Sequence, residues 1–182
     1  MPTRTAALFL AVASTAAHAG LVVDQVGATF INGGYSTYAA QSFTPAADTL
    51  AAIEIYVGGT AALTANVTVS VFSAWDGGSN PDALSGLLGA VTINDVPRGT
   101  EQLFTFDQVI ATTPETTYYF LVETGLLTTG GNRSNEYDRG QVIFGGGNIS
   151  GADLFFTTFA VPAPPAAALF VLASLTATRR RR

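Results

Sequence analysis

Ile53-Glu54-Ile55-Tyr56-Val57 and Val67-Thr68-Val69-Ser70-Val71 are the two runs that decide the fold of this chain. In each, a β-branched apolar residue stands at every second position. Successive side chains of a strand point to opposite faces, so this alternation puts one face in a core and the other toward water. The same period returns where Phe104 and Phe106 alternate with Thr105 and Asp107, and where Tyr118, Phe120 and Val122 alternate with Tyr119, Leu121 and Glu123. Shorter strand-like runs lie at 21–26, 39–44, 91–93, 141–144 and 154–159. Glycine and Asx clusters punctuate them: Asn32-Gly33-Gly34, Gly58-Gly59, Asp76-Gly77-Gly78, Gly130-Gly131-Asn132 and Gly145-Gly146-Gly147-Asn148. These read as turns. No amphipathic helix of useful length is present. The pattern predicts an all-β domain of eight or nine short strands, an antiparallel two-sheet sandwich of jelly-roll type.

Both ends of the chain differ from this middle. Residues 1–19 hold Arg4, an apolar run over 6–13 and Ala17-His18-Ala19 before Gly20. A positive start, an apolar run and small residues at −3 and −1 are the pattern of a secretory signal peptide, so cleavage is expected between Ala19 and Gly20. The other end, 160–182, reads Val161-Pro162-Ala163-Pro164-Pro165, then an uncharged apolar run over 166–178, then Arg179, Arg180, Arg181 and Arg182. As a helix the run is roughly 20 Å long, against a hydrocarbon core of about 30 Å. Arginine stems reaching toward the head groups and local thinning of the bilayer bring the two closer. The arginine block places its side in the cytoplasm and the bulk of the chain outside. The expected organisation is a signal peptide over 1–19, a sandwich ectodomain over 20–159 and a membrane-directed tail over 160–182.

Composition narrows what the ectodomain does. All thirteen acidic residues fall within it, against only Arg98, Arg133 and Arg139, a net charge of −10. Nucleic acid and anionic lipid both need a positive surface, so neither is expected as a partner. The chain has no cysteine, and its one histidine, His18, lies in the signal peptide. Cysteine nucleophiles, thiolate metal sites, serine–histidine catalysis and histidine-bound zinc are thereby excluded from the exported part. Glycoside hydrolysis needs two carboxylates at a defined separation, and nothing in the sequence marks such a pair. The expectation is a domain that is not an enzyme.

The order Val161-Pro162-Ala163-Pro164, apolar run, arginine cluster resembles the PEP-CTERM sorting signal of Gram-negative bacteria. That signal is recognised by exosortase-type membrane proteases. The family's usual glutamate between the prolines is Ala163 here, and an apolar residue at this place is similar to a known subclass. The resemblance implies an exosortase as partner, a membrane-held precursor, cleavage near Pro164, and release to the cell surface or an extracellular polysaccharide matrix. A longer stretch, roughly 39–123, resembles the choice-of-anchor ectodomains that often accompany such signals. Its features are Gln41-Ser42-Phe43-Thr44, Ile53-Glu54-Ile55, Val69-Ser70-Val71-Phe72 and Thr117-Tyr118-Tyr119-Phe120-Leu121-Val122. No activity is implied by that second resemblance.

Three places carry ligand-like chemistry. Asp76-Gly77-Gly78-Ser79-Asn80-Pro81-Asp82 offers closely spaced oxygens, with Asp76, Asn80 and Asp82 as side-chain ligands for calcium. The first reading of this loop is nonetheless a turn, because Asp-Gly and Asn-Pro are ordinary turn dipeptides and the spacing is not that of an EF-hand. Tyr35, Tyr38 and Trp75 are aromatics beside loops, suited either to stacking on sugar rings or to packing at a rim. Residues 132–140 place Arg133 and Arg139 beside Glu136 and Asp138, a solvated ion-pair loop or a ligand site. No cofactor is expected, and calcium is the one candidate metal. Three classes of function follow in order: a structural or adhesive surface protein, a carbohydrate- or calcium-binding module of a polysaccharide matrix, and, far behind, a hydrolase.

Overall fold

The computed structural model describes residues 20–27, 33–34, 36–59, 62–77, 80–132, 136–144, 147–149 and 151–162. These form β1 (Val22–Val26), β2 (Gly33–Gly34), β3 (Tyr38–Phe43), β4 (Thr49–Gly58), β5 (Thr64–Trp75), β6 (Leu84–Pro97) and β7 (Thr100–Ala111). They continue with β8 (Tyr118–Glu123), β9 (Thr128–Asn132), β10 (Val142–Phe144), β11 (Gly147–Ile149), β12 (Asp153–Leu154) and β13 (Phe156–Ala160). A single 3-10 turn, Pro81–Ala83, precedes β6. There is no α-helix among the described residues.

Two antiparallel sheets form a sandwich. The first runs β1-β13-β4, with β7 on the other edge of β4 and β9 taking over from β13 at the end of β4. β9 carries β12 and β2. The second sheet runs β11-β10-β3-β8-β5-β6. The alternating runs behave as their period demands. Ile53, Ile55 and Val57 of β4 and Val67, Val69 and Val71 of β5 are buried in one core between the sheets. Phe120 of the second sheet meets Phe156 of the first edge to face, with ring centroids 5.2 Å apart. Phe43 and Tyr137 flank that pair at 5.9 and 5.3 Å. Aromatic contacts of this kind add about 1 kcal/mol each beyond area burial.

The structure differs from the sequence reading in three places. Thirteen strands are present among the described residues rather than eight or nine. Several glycine clusters expected as turns are strands instead: Gly33-Gly34 is β2, Gly130-Gly131-Asn132 belongs to β9, and Gly147-Asn148 belongs to β11. Gly130 shows why glycine is needed within a strand. A Cβ there would stand 2.4 Å from Cδ1 of Tyr56, whose ring lies across the β9 backbone. The run expected at 91–93 is the middle of β6, which is fourteen residues long.

The second sheet is also covered on its outer side. Ala40, Leu121 and Ile143 are buried there, with Tyr38, Phe72, Trp75, Leu84 and Tyr119 packed against them. This smaller cluster positions the candidate site.

Candidate functional site

Tyr38 opens β3 and Trp75 closes β5, two strands apart across β8. The 3-10 turn Pro81–Ala83, which leads into β6, lies against β3. Asn80 caps the 3-10 turn: its Oδ1 accepts from the Asp82 backbone N–H at 3.0 Å. Pro81 follows at the first position, where a missing N–H costs nothing. The Asp76 N–H donates to the Ala83 carbonyl at 3.3 Å and closes the loop on itself. The loop is tied down where the Tyr38 hydroxyl donates to Asp82 Oδ1 at 2.7 Å.

That bond sets the electrostatics. Burial first, then the hydrogen bond to Asp82 and the negative charges of Asp82 and Glu123, push the Tyr38 phenol up to about 12. Trp75 packs against Tyr119 with centroids 6.1 Å apart. Its indole Nε1 is shielded from solvent and has no hydrogen-bond partner among the described residues. Tyr38, Phe72, Trp75 and Tyr119 are each half-buried. They form an aromatic floor, and the loop edges it with the Asp82 carboxylate.

The structure thus brings Tyr38, Trp75, Asp76, Asn80 and Asp82 to one region of the outer face. Tyr35 lies outside the described residues. Of the three side chains expected as calcium ligands, Asn80 is engaged as a cap and Asp82 as an acceptor for Tyr38. No group of three or more His, Cys, Asp or Glu side chains gathers among the described residues.

In the described part of 132–140, Glu136 and Asp138 are exposed as a solvated loop requires, but the residue between them is not. Tyr137 is buried between the sheets. Its hydroxyl accepts from the Thr44 N–H at 2.8 Å. Its own N–H donates to Asp153 Oδ2 at 2.9 Å. Asp153 is fully buried, and its Oδ1 accepts from Gln41 Nε2 at 3.2 Å. Gln41 Oε1 in turn accepts from the Leu154 N–H at 3.0 Å. Burial pushes the Asp153 carboxyl up, opposed by hydrogen bonds from the Tyr137 N–H, the Gln41 side chain and the Glu136 N–H. Arg139 pairs with Glu115 across the β7–β8 connection at 2.5 Å, and Asn132 Nδ2 donates to Glu136. Arg133 lies outside the described residues. The sequence reading missed the Gln41–Tyr137–Asp153 network. Its one visible trace was Gln41, a polar residue at an inward position of a strand.

At the end of the sandwich, Val161 is tied to Thr49, whose Oγ1 accepts from the Val161 N–H and can donate to its carbonyl, both at 3.2 Å. Val161 and Pro162 are described. Ala163, Pro164 and the arginines Arg179, Arg180, Arg181 and Arg182 lie outside the described residues, as do Ala17 and Ala19, while Gly20 begins them. No helix among the described residues is long and apolar enough to cross a membrane. No known protein family matches the chain, and no curated protein matches it either.

Proposed function

We propose that this chain is an exported bacterial surface or extracellular-matrix protein with a non-catalytic, structural or adhesive ectodomain. A signal peptide over 1–19 directs export. A tail over 160–182 holds the precursor in the inner membrane until an exosortase-type protease cuts it near Pro164. The observation that carries this reading is the order Val161-Pro162-Ala163-Pro164, apolar run 166–178, Arg179–Arg182, placed directly after the last strand. β13, the last strand among the described residues, ends at Ala160, one residue before the motif. The winding of the sheets, with β8 between β3 and β5 and β4 between β13 and β7, supports a jelly-roll-like connectivity.

The test is the intact mass of the mature protein from membranes and from the medium. The expected form begins at Gly20 and ends near Pro164. A surface form that retains Arg179–Arg182 makes the tail a permanent anchor and ends the sortase reading.

A second reading has an observation of its own. The aromatic floor of Tyr38, Phe72, Trp75 and Tyr119, edged by Asp82, is suited to a sugar ring stacked on Trp75 with hydroxyls toward the carboxylate. Binding on a glycan array that Trp75→Ala abolishes, with an unchanged unfolding midpoint, supports it. Wild-type protein that binds no glycan leaves the cluster as packing for the loop.

A further inference from the structure

The sandwich has two ends, and its exposed apolar residues are not shared evenly between them. Val22 of β1 pairs with Ala160 of β13, and Phe159 pairs with Ala52 near the start of β4. Thr49 pairs with Ala111 at the end of β7. These residues mark one end, where the chain enters at Gly20 and leaves at Pro162 on neighbouring strands about 5 Å apart. The far end holds Gly58, Thr100 and Thr128.

Around the entry and exit strands lie Leu21, Val22 and Val23, exposed at 39, 44 and 58%. Val109 stands exposed on β7 next to Ile110, whose strand partner is Leu50. β1 is an edge strand, and nothing pairs with its outer side among the described residues. Its one charge, Asp24, is turned back into the domain, where Oδ1 accepts from the N–H groups of Ala46 and Ala47 at 3.1 and 2.9 Å. A contiguous apolar edge of this kind marks an interaction surface.

Chain length says what that surface meets. From Pro162 to the apolar run at Ala166 there are four residue steps, at most about 14 Å even when fully extended. If the tail lies in a bilayer, this end of the sandwich cannot be far from it.

We infer that Leu21, Val22 and Val23 rest on the bilayer surface in the membrane-held precursor, so that the sandwich stands on its entry and exit strands. The inference depends on the tail anchoring proposed above. The partner is the apolar–polar boundary of a zwitterionic bilayer. Asp48 and Glu115 are exposed at the same end, and Glu115 is paired with Arg139, so no cationic excess is present to attract anionic head groups. Contact is by apolar side chains alone, in the manner of an interfacial segment. Both processing sites, after Ala19 and near Pro164, are then held side by side at the membrane plane. Cutting at the second frees the edge from the surface.

The native chain has no cysteine, so single labels are clean. Full-length chain carrying Val23→Cys, Val22→Cys or Leu126→Cys is labelled with an environment-sensitive fluorophore. It is then reconstituted into phosphatidylcholine vesicles that contain a lipid quencher at the head-group boundary. Leu126 is the control, because it is as apolar and exposed (64%) but follows β8 at the far end. Vesicle flotation is read first and quenching second, on the floated fraction. Expected is flotation of all three variants, with quenching at 22 and 23 several-fold above that at 126. Protein that fails to float overturns the anchor and, with it, the inference. Protein that floats with equal quenching at all three positions overturns the docking alone and leaves the anchor standing.

Discussion

Tyr38 and Asp82 are 44 residues apart, and one hydroxyl joins them. The bond fixes a loop over the aromatic floor, and the chain's single tryptophan reports on it. Tyr38→Phe keeps the ring and removes the tie. It should lower stability by about 1 kcal/mol, the usual net worth of such a bond. Acrylamide quenching of Trp75 fluorescence should rise; quenching equal to wild type would mean the loop is held by packing alone. Because the folded-state value of the Tyr38 phenol lies above the ordinary 10.0, its contribution is full below pH 10 and is lost as pH rises through about 12. Asp153 follows the same sign at the acid end. Its folded-state value is raised by burial, as is that of Glu54, where Glu101 adds to the effect. The protonated form is therefore favoured by folding. The stability linked to it is complete below the unfolded value of 3.8 and falls as pH rises through the folded value. Urea midpoints should climb as pH is lowered from neutral toward 4, and Asp153→Asn should make that slope shallower. Asp153→Ala strands the buried Tyr137 N–H, while the Gln41 amide keeps its second acceptor, the Ser42 carbonyl at 3.0 Å, so the change should cost about 1–3 kcal/mol.

Among the elements, what could be read from sequence and what could not divide along a physical line. β4, β5, β7 and β8 were legible because the residues each sends into the core between the sheets recur at a period of two. Tyr119 and Leu121, apolar on the face of β8 opposite Phe120, pack in the second cluster, which the one-faced reading of β8 did not foresee. β2 and β9 were not legible, because a glycine admitted for close approach looks the same in sequence as a glycine required by a turn. At Gly130 the reason is the Tyr56 ring, a contact between strands far apart in the chain. Gly130→Ala should therefore displace Tyr56 from its edge-to-face contact with Phe155 and lower stability by about 1–3 kcal/mol, as overpacking does. The same change at Gly77, where a Cβ would meet nothing within 4 Å, is disfavoured by its φ of +82° alone. A thermal midpoint for Gly130→Ala equal to wild type would mean that Tyr56 moves aside freely. Tyr137 escaped the sequence reading for a related reason. It is one aromatic among charges, and only the approach of β3 and β12 makes it part of the core. For the candidate site, composition picked out Tyr38, Trp75 and the loop, but the Tyr38–Asp82 bond that joins them is tertiary and left no local trace.

At the scale of the whole molecule, the proposed tail and the sandwich fit together through one short connection. β13 ends at Ala160, Thr49 holds Val161, and the prolines begin at once. Pro162, Pro164 and Pro165 each lack an N–H and restrict the residue before them, so a helix over 166–178 cannot extend back into the domain. In the proposed precursor the segment between them is expected to be extended, the form in which a protease active site takes a peptide. Each part of the tail then has its own failure. Replacing Pro162 and Pro164 with alanine should block cleavage while membrane insertion persists, because the apolar run and the arginines are intact. Replacing Arg179–Arg182 with neutral residues should weaken orientation and retention, since the cytoplasmic bias of the flank is lost. Correct processing should fall as a consequence. The measurement is the location and C-terminal mass of each variant. Proline variants cut as efficiently as wild type would show that the protease reads the apolar run and not the motif. Arginine variants processed normally would show that the sandwich, standing on β1 and β13, is sufficient to hold the cleavage site in place.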